Sequence, residues 1–342
     1  MLRAFAAVSV VFFHTHFSFP FTRSFGSFGV DVFFVISGYI MARILDPNSG
    51  ARSDFFLRRR ILRIVPPYWF FTLVLFIVAF LNPKLMGATR ADGLELLKSL
   101  LFIPFAKSNG LVEPLLFVGW SLNYEMFFYL ALAVGLLISK RNAAWIGSAI
   151  VLGAMLFCMP FAQSGAFTHF YASGFMAEFI LGVISYYISR AIPNRTAQRL
   201  RLPCVFICIA CALLLIATQA ILPKVDISRV FILGALSFLL VTTASMLSLS
   251  GRDIRLSWLV LIGDASYVLY LIHPYCENSL DRLLGQRIHW LRVNTACGAL
   301  VAISLSIFIA VVIHVYGELP TVQFLNSRFG GKRSTVEFSG QA

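Results

Sequence analysis

The sequence is poor in charge. Only 13% of its 342 residues are Asp, Glu, Lys or Arg, about half the share of a soluble domain. Acidic residues are the scarcer sign, 15 against 28 basic ones. So few charges cannot solvate a chain of this length, which excludes a soluble enzyme and a disordered tail. Several motifs are missing as well. There is no G-x-x-x-x-G-K-[ST], no H-E-x-x-H and no G-x-S-x-G, which removes P-loop, zinc-protease and α/β-hydrolase chemistry. No repeat of fixed period is present. The six cysteines, Cys158, Cys204, Cys208, Cys211, Cys276 and Cys297, lie in or beside apolar runs. Cys208 and Cys211 form a C-x-x-C, but inside CVFICIACALLLIA. They read as small hydrophobes, with neither a disulfide framework nor a metal site.

Apolar residues fill the space that charge leaves. They make up 59% of the chain, Phe alone contributes 34, and the mean hydropathy is +0.83. A spanning helix needs about 20 mainly apolar residues. Ten segments qualify, at 2–20, 28–45, 65–82, 115–138, 143–162, 171–190, 203–223, 228–249, 257–277 and 293–316. A shorter run at 94–106 carries Glu95 and Lys98 and reads as an interfacial or re-entrant helix. The first span lacks a small-residue cleavage site before Pro20 and is expected to be retained. The net charge of +13 comes from Lys and Arg between the spans. Most of them fall on one side when the N-terminus is placed inside, a positive-inside pattern rather than a nucleic-acid footprint. The expectation is an all-α polytopic membrane protein of about ten transmembrane helices, with both termini cytoplasmic and a short interfacial helix. Residues 1–316 would form the membrane-embedded domain and 317–342 a short polar cytoplasmic tail.

An ionisable side chain within a span costs about 2.5–3.5 kcal/mol on insertion scales, so each asks for a reason. Those present are His14, His16, Asp31, Glu125, Glu178, His273 and His314. Arg3 and His14 are eleven residues apart, which at about 100° per residue puts them on one helix face, roughly 16 Å apart along the axis. His16 points elsewhere. An interfacial arginine anchor and a core histidine would account for the pair equally well. In WSLNYEMFFY, Ser121, Glu125 and Tyr129 form a stripe at i, i+4 and i+8, beside Asn123. By depth, His14 is the natural partner of Glu125, as a structural pair or as a base oriented by a carboxylate. Arg58, Arg59, Arg60 and Arg63 precede Pro66 and Pro67, which are expected to open the third span. Arg60 and Arg63, at i and i+3, point the same way, and two guanidinium forks suit phosphates of a nucleotide or of lipid headgroups. GVDVFFVISGYI places Asp31 at the outer end of the second span and Ser37-Gly38 near its middle, where glycine allows close helix approach. SYVLYLIHPY places Ser266, Tyr267 and His273 in the ninth span, with Pro274 set to kink or end it. Ser266 and Tyr267 fit hydrogen bonding between helices. Proton-coupled transport of a glycan precursor or a small anion would use the same intramembrane groups and remains the alternative reading.

These segments together resemble the acyltransferase-3 family of integral membrane acyltransferases. The resemblance rests on LRAFAAVSVVFFH with Arg3-x10-His14, GVDVFFVISGYI, FLRRRILRIVPPYW with R-x-x-R at Arg60 and Arg63, GWSLNYEMFFY and SYVLYLIH, in that order over about 270 residues. WSLNYEMFFY, with AEFILGV around Glu178, is most similar to the branch acetylating exopolysaccharides such as succinoglycan. The resemblance implies O-acylation of a surface glycan or lipid-linked precursor at the bacterial cytoplasmic (inner) membrane. Acetyl-CoA would be the usual donor substrate, with no bound cofactor and no metal. It further implies that Arg3 and His14 are essential and that Arg60 and Arg63 serve the donor. His14 and Glu125 are then the candidate catalytic residues, and Arg3, Arg60 and Arg63 the donor-binding ones. Asp31, Ser37, Ser121, Asn123, Glu178, Tyr267 and His273 are acceptor-side or supporting candidates. The oxyanion would fall to Asn123, Tyr129 or Tyr270.

Overall fold

The computed structural model describes residues 1–17, 26–49, 56–85, 89–218, 230–251 and 256–329. Among these, the regular elements are helical and none is a strand. In chain order they are α1 (Leu2–His14), α2 (Gly29–Leu45), α3 (Phe56–Leu81), α4 (Gly93–Leu100), α5 (Trp120–Ile138), α6 (Ala143–Cys158), α7 (Ala166–Tyr171), α8 (Phe175–Ala191), α9 (Asn194–Arg199), α10 (Arg201–Thr218), α11 (Ala235–Leu249), α12 (Ser257–Asp264), α13 (Ser266–Leu280), α14 (Ala296–Ile313) and α15 (Leu319–Phe329). Among the described residues, seven helices, α3, α5, α6, α8, α10, α11 and α14 with their short extensions, are long and apolar enough to cross a membrane. Phe70, Phe80, Phe157, Phe206 and Phe308 stand exposed on them, as side chains facing lipid would. Parts of four expected segments, 18–20, 219–223, 228–229 and 330–342, lie outside the described residues.

The remaining three expected spans depart from regular length for local reasons. α1 has 13 residues, about 20 Å of helix against a hydrocarbon core of about 30 Å. It stops because the Thr15 hydroxyl donates back to the Phe12 carbonyl at 2.7 Å and His16 turns left-handed at φ 53°, a region few non-glycine residues enter. His14 therefore sits at a helix end. α2 has 17 residues. The ninth expected span is broken, with α12 and the α13 segment meeting at 73°.

Prolines do not act as the sequence suggests at Pro66 and Pro67. They lie inside α3, which starts ten residues earlier at Phe56. The helix carries R-R-R-I-L-R on its first turns and tolerates the prolines, at the cost of leaving the Leu62 and Arg63 carbonyls without their i+4 donors. The short amphipathic run is helical over Gly93–Leu100, capped by Asp92, whose carboxylate accepts from Glu95 N–H at 2.9 Å. Tyr68 and Trp69 of α3 pin it by donating to the Ser99 and Leu100 carbonyls. Past residue 316 the chain stays helical, through a π turn at His314–Glu318 and then α15.

α2 is the central helix, with Val30, Val32, Phe34, Val35, Ile36, Met41, Ala42 and Leu45 all buried. It packs against α8, α1, α11 and α5. Its crossing with α8 is backbone on backbone: a Cβ on Gly38 would run into the Phe179 carbonyl, and one on Gly182 into that of Val35. Small residues are what permit such an approach where lipid supplies no hydrophobic drive. The same helix pair is latched at one end. Tyr186 of α8 donates to Asp46 Oδ2 at 2.6 Å, and Arg190 Nη1 lies 2.6 Å from the same oxygen. α1 crosses α2, α12 and α13, and these contacts set where its two polar ends fall.

Candidate active site along the first helix

The polar residues of α1 lead into two different surroundings. At its N-terminal end, Arg3 is half-buried beside the α12 glycine Gly263. It interacts electrostatically with Arg63, Glu125, Arg60 and Tyr129. The four arginines expected at the head of α3 separate here. Arg58 and Arg59 are exposed, whereas Arg60 and Arg63 are half-buried, and Arg60 also lies within reach of Tyr129 and Glu125. Arg3 and Arg60 thus both lie within electrostatic reach of Glu125, and each also of Arg63, an arrangement with positive charge to spare for an anion.

Glu125 does not pair with His14 as its depth suggests. Its Oε1 accepts from Ser37 Oγ of α2 at 2.6 Å and from the hydroxyl of Tyr129, one turn along α5. Among the described residues no hydrogen bond joins it to His14. Equal depth fixes position along the membrane normal, not the direction a side chain takes around its helix. Tyr267 of α13 closes this end by donating to the Ile64 carbonyl at 2.6 Å, within electrostatic reach of Glu125 and Glu318. Glu318 itself lies 2.7 Å from His314 Nδ1 across the π turn. The sequence singles out His314 but not Glu318, because residues past 316 read as a polar tail and the ordinary i, i+4 helical pairing is not expected there.

At the other end of α1 the described ring neighbours of His14 are aromatic. The His14 ring lies 4.9 Å from that of His273 and 5.6 Å from Phe117. His273 is fully buried and its Nδ1 lies 3.1 Å from the Leu269 carbonyl. Tyr270 donates to the Val118 carbonyl at 2.8 Å and exchanges a 2.7 Å hydrogen bond with Ser121 Oγ. These bonds tie α13 to the start of α5 and hold the histidines between them. Of the three oxyanion candidates, Tyr129 and Tyr270 already give their hydroxyl hydrogens to Glu125 and Val118. Asn123 is buried, and its Oδ1 has no hydrogen-bond partner among the described residues.

Two expected residues stand elsewhere. Asp31 is fully buried in the first turn of α2. Glu178, equally buried on α8, lies against Gly234. A further buried carboxylate without an earlier signal is Glu277, one turn past His273 on α13, whose Oε1 has no partner among the described residues. Among the described residues, no group of three or more His, Cys, Asp or Glu could hold a metal ion.

Comparison with known proteins identifies the family. The chain is 32% identical over 255 residues to the exopolysaccharide production protein ExoZ of Rhizobium meliloti (strain 1021), covering 73% of this chain and 76% of that protein. It is 27% identical over 340 residues to the acyltransferase MdmB of Streptomyces mycarofaciens, covering 89% and 82%. A 141-residue match at 33% identity to the peptidoglycan O-acetyltransferase OatA of Listeria monocytogenes covers 38% of this chain but only 22% of that protein. No solved structure matches. Residues 1–315 match the acyltransferase-3 family, described as an acyltransferase domain, and the chain, a multi-pass helical membrane protein, belongs to that family.

Proposed function

We propose that the protein is a membrane O-acyltransferase that moves an acetyl or other short acyl group from acyl-CoA to a sugar hydroxyl of an exopolysaccharide or lipid-linked glycan precursor. The observation that carries this reading is the division of α1: Arg60 and Arg63 gather around Arg3, and an imidazole pair sits at His14. An acyl-CoA has the same division, polyanionic at its nucleotide end and neutral at the thioester. A flexible arm between them matches a helix with roughly 16 Å between Arg3 and His14.

In this reading Arg3, Arg60 and Arg63 bind the donor phosphates. Glu125, held by Ser37 and Tyr129, keeps the arginines apart and oriented rather than acting on the substrate. His14 takes the proton of the sugar hydroxyl. The oxygen attacks the thioester carbon, a C–O bond forms, and the tetrahedral intermediate collapses with loss of the C–S bond. The thiolate recovers the proton from the His14 imidazolium, giving the sugar ester and free CoA. Asn123 remains for the oxyanion, since Tyr129 and Tyr270 are committed. The protein would act in the bacterial cytoplasmic membrane, with the arginine end toward the cytoplasm where acyl-CoA is made.

The test uses purified protein in nanodiscs, labelled acetyl-CoA and a lipid-linked glycan acceptor, with no ion gradient. Label should reach the acceptor with wild type and be lost with His14→Ala. A His14→Ala variant that folds and acylates at the wild-type rate would contradict the scheme, as would wild type that transports the glycan without labelling it.

A further inference from the structure

His273 is a second imidazole beside the first, and its local sequence fixes its state. Pro274 has no N–H, so the Tyr270 carbonyl four residues back loses its helical donor. The His273 ring turns back over this turn. Its Nδ1 lies 3.1 Å from the Leu269 carbonyl, with the Tyr270 carbonyl also within bonding reach. Carbonyl oxygens only accept, so Nδ1 carries the hydrogen and Nε2 is left with a lone pair. That Nε2 is buried and has no hydrogen-bond partner among the described residues. An acceptor nitrogen buried without a donor gives up its solvation with nothing in return, which asks for a ligand. The neighbouring ring is His14, at 4.9 Å between centroids. Its nitrogens too have no hydrogen-bond partner among the described residues.

Resting on the acyl-transfer reading above, we propose that His273 is an acceptor-binding residue. Its Nε2 receives the hydrogen bond of a second hydroxyl, adjacent to the one His14 deprotonates, so the site selects polyols with neighbouring hydroxyls. Neighbouring hydroxyl oxygens on a sugar lie roughly 3 Å apart, and each O–H···N bond adds about 2.8 Å. Two imidazoles in ring contact bracket such a pair. The Phe117 ring at 5.6 Å from His14 supplies an apolar wall of the kind a sugar's C–H face packs on. Tyr270, whose ring centroid lies 6.0 Å from that of His273, is fixed by Ser121 and Val118 and limits how the ring can turn.

The experiment measures acyl transfer in nanodiscs to methyl β-glucopyranoside and methyl β-galactopyranoside, and to the monodeoxy analogue of each at every position. Wild type should lose about 10–100-fold in acceptor kcat/KM when one hydroxyl next to the acylated one is removed. His273→Leu should bring that ratio to within about twofold of unity while leaving the donor KM in place. His273→Gln, which keeps an acceptor oxygen, should restore part of the discrimination, and it serves if the leucine variant unfolds. Wild type indifferent to every neighbouring hydroxyl would overturn the proposal, and so would a His273→Leu variant that discriminates as wild type does. Wild type that acylates no glycoside, natural glycan included, would instead overturn the acyl-transfer reading on which it rests.

Discussion

The two ends of α1 solve opposite problems. Around Arg3 the protein gathers charge: Arg60, Arg63, Glu125 and the Tyr129 hydroxyl interact across three helices. Around His14 the described neighbours are imidazole and aromatic rings, with hydroxyls already bonded to one another. Charge inside a membrane is retained where a charged ligand repays its desolvation. Neutral lone pairs suffice where the ligand is a hydroxyl. On the proposed function, one helix would hold two reactants by keeping their chemistries at its opposite ends.

The strongest way to break this comparison is at the neutral end. His14→Ala should lower kcat by about 10²–10⁴, the range of a lost general base, with donor affinity preserved, as stopped-assay kinetics would read. At the charged end the signature is reversed. Arg60→Ala and Arg63→Ala should each raise the donor KM by about 10–100-fold, since a charge-assisted hydrogen bond is worth roughly 1.5–3 kcal/mol, with a smaller change in kcat. If both ends gave the same pattern, the division of labour would be lost.

Two smaller effects sharpen the frame on which the ends depend. Gly38→Ala places a methyl against the Phe179 carbonyl and should cost about 1–3 kcal/mol, the usual penalty of overpacking. Thermal unfolding in detergent reads this as a lowered midpoint. The Asp46 latch should respond to pH. Burial pushes its carboxyl up, but the bonds from Tyr186 and Asn48 and the Arg190 guanidinium together outweigh that and hold it below the usual carboxylate range. A lowered folded value means the stabilisation is complete above the unfolded value of about 3.9 and fades as pH falls below it. Wild type should therefore lose more stability than Asp46→Asn between about pH 5 and pH 3.

Periodicity made much of the scaffold readable. The shared face of Arg3 and His14 follows from eleven residues of helix, and the span positions follow from hydropathy. What the sequence could not reveal was how elements turn toward one another. Glu125 and His14 match in depth, yet Glu125 faces Ser37, which lies 88 residues away in sequence. Asp46 and Arg190 meet across the same α2–α8 pair that Gly38 and Gly182 bring into backbone contact. Local chemistry also hid in plain residues. Pro66 and Pro67 resemble a helix start, but the helix forms ahead of them on the arginine-rich turns. Thr15 and His16 end α1 early by a side-chain bond and a left-handed residue, which hydropathy does not register.

The most direct test of the divided helix is donor binding, separated from transfer. Affinity of the protein for a non-hydrolysable acetyl-CoA analogue should be measured by calorimetry in nanodiscs for wild type, His14→Ala and the Arg60→Ala/Arg63→Ala double variant. The account predicts that His14→Ala binds the analogue like wild type, within about twofold. The double variant should lose at least about 100-fold, as two charge-assisted contacts imply. Equal binding by wild type and the double variant would contradict it.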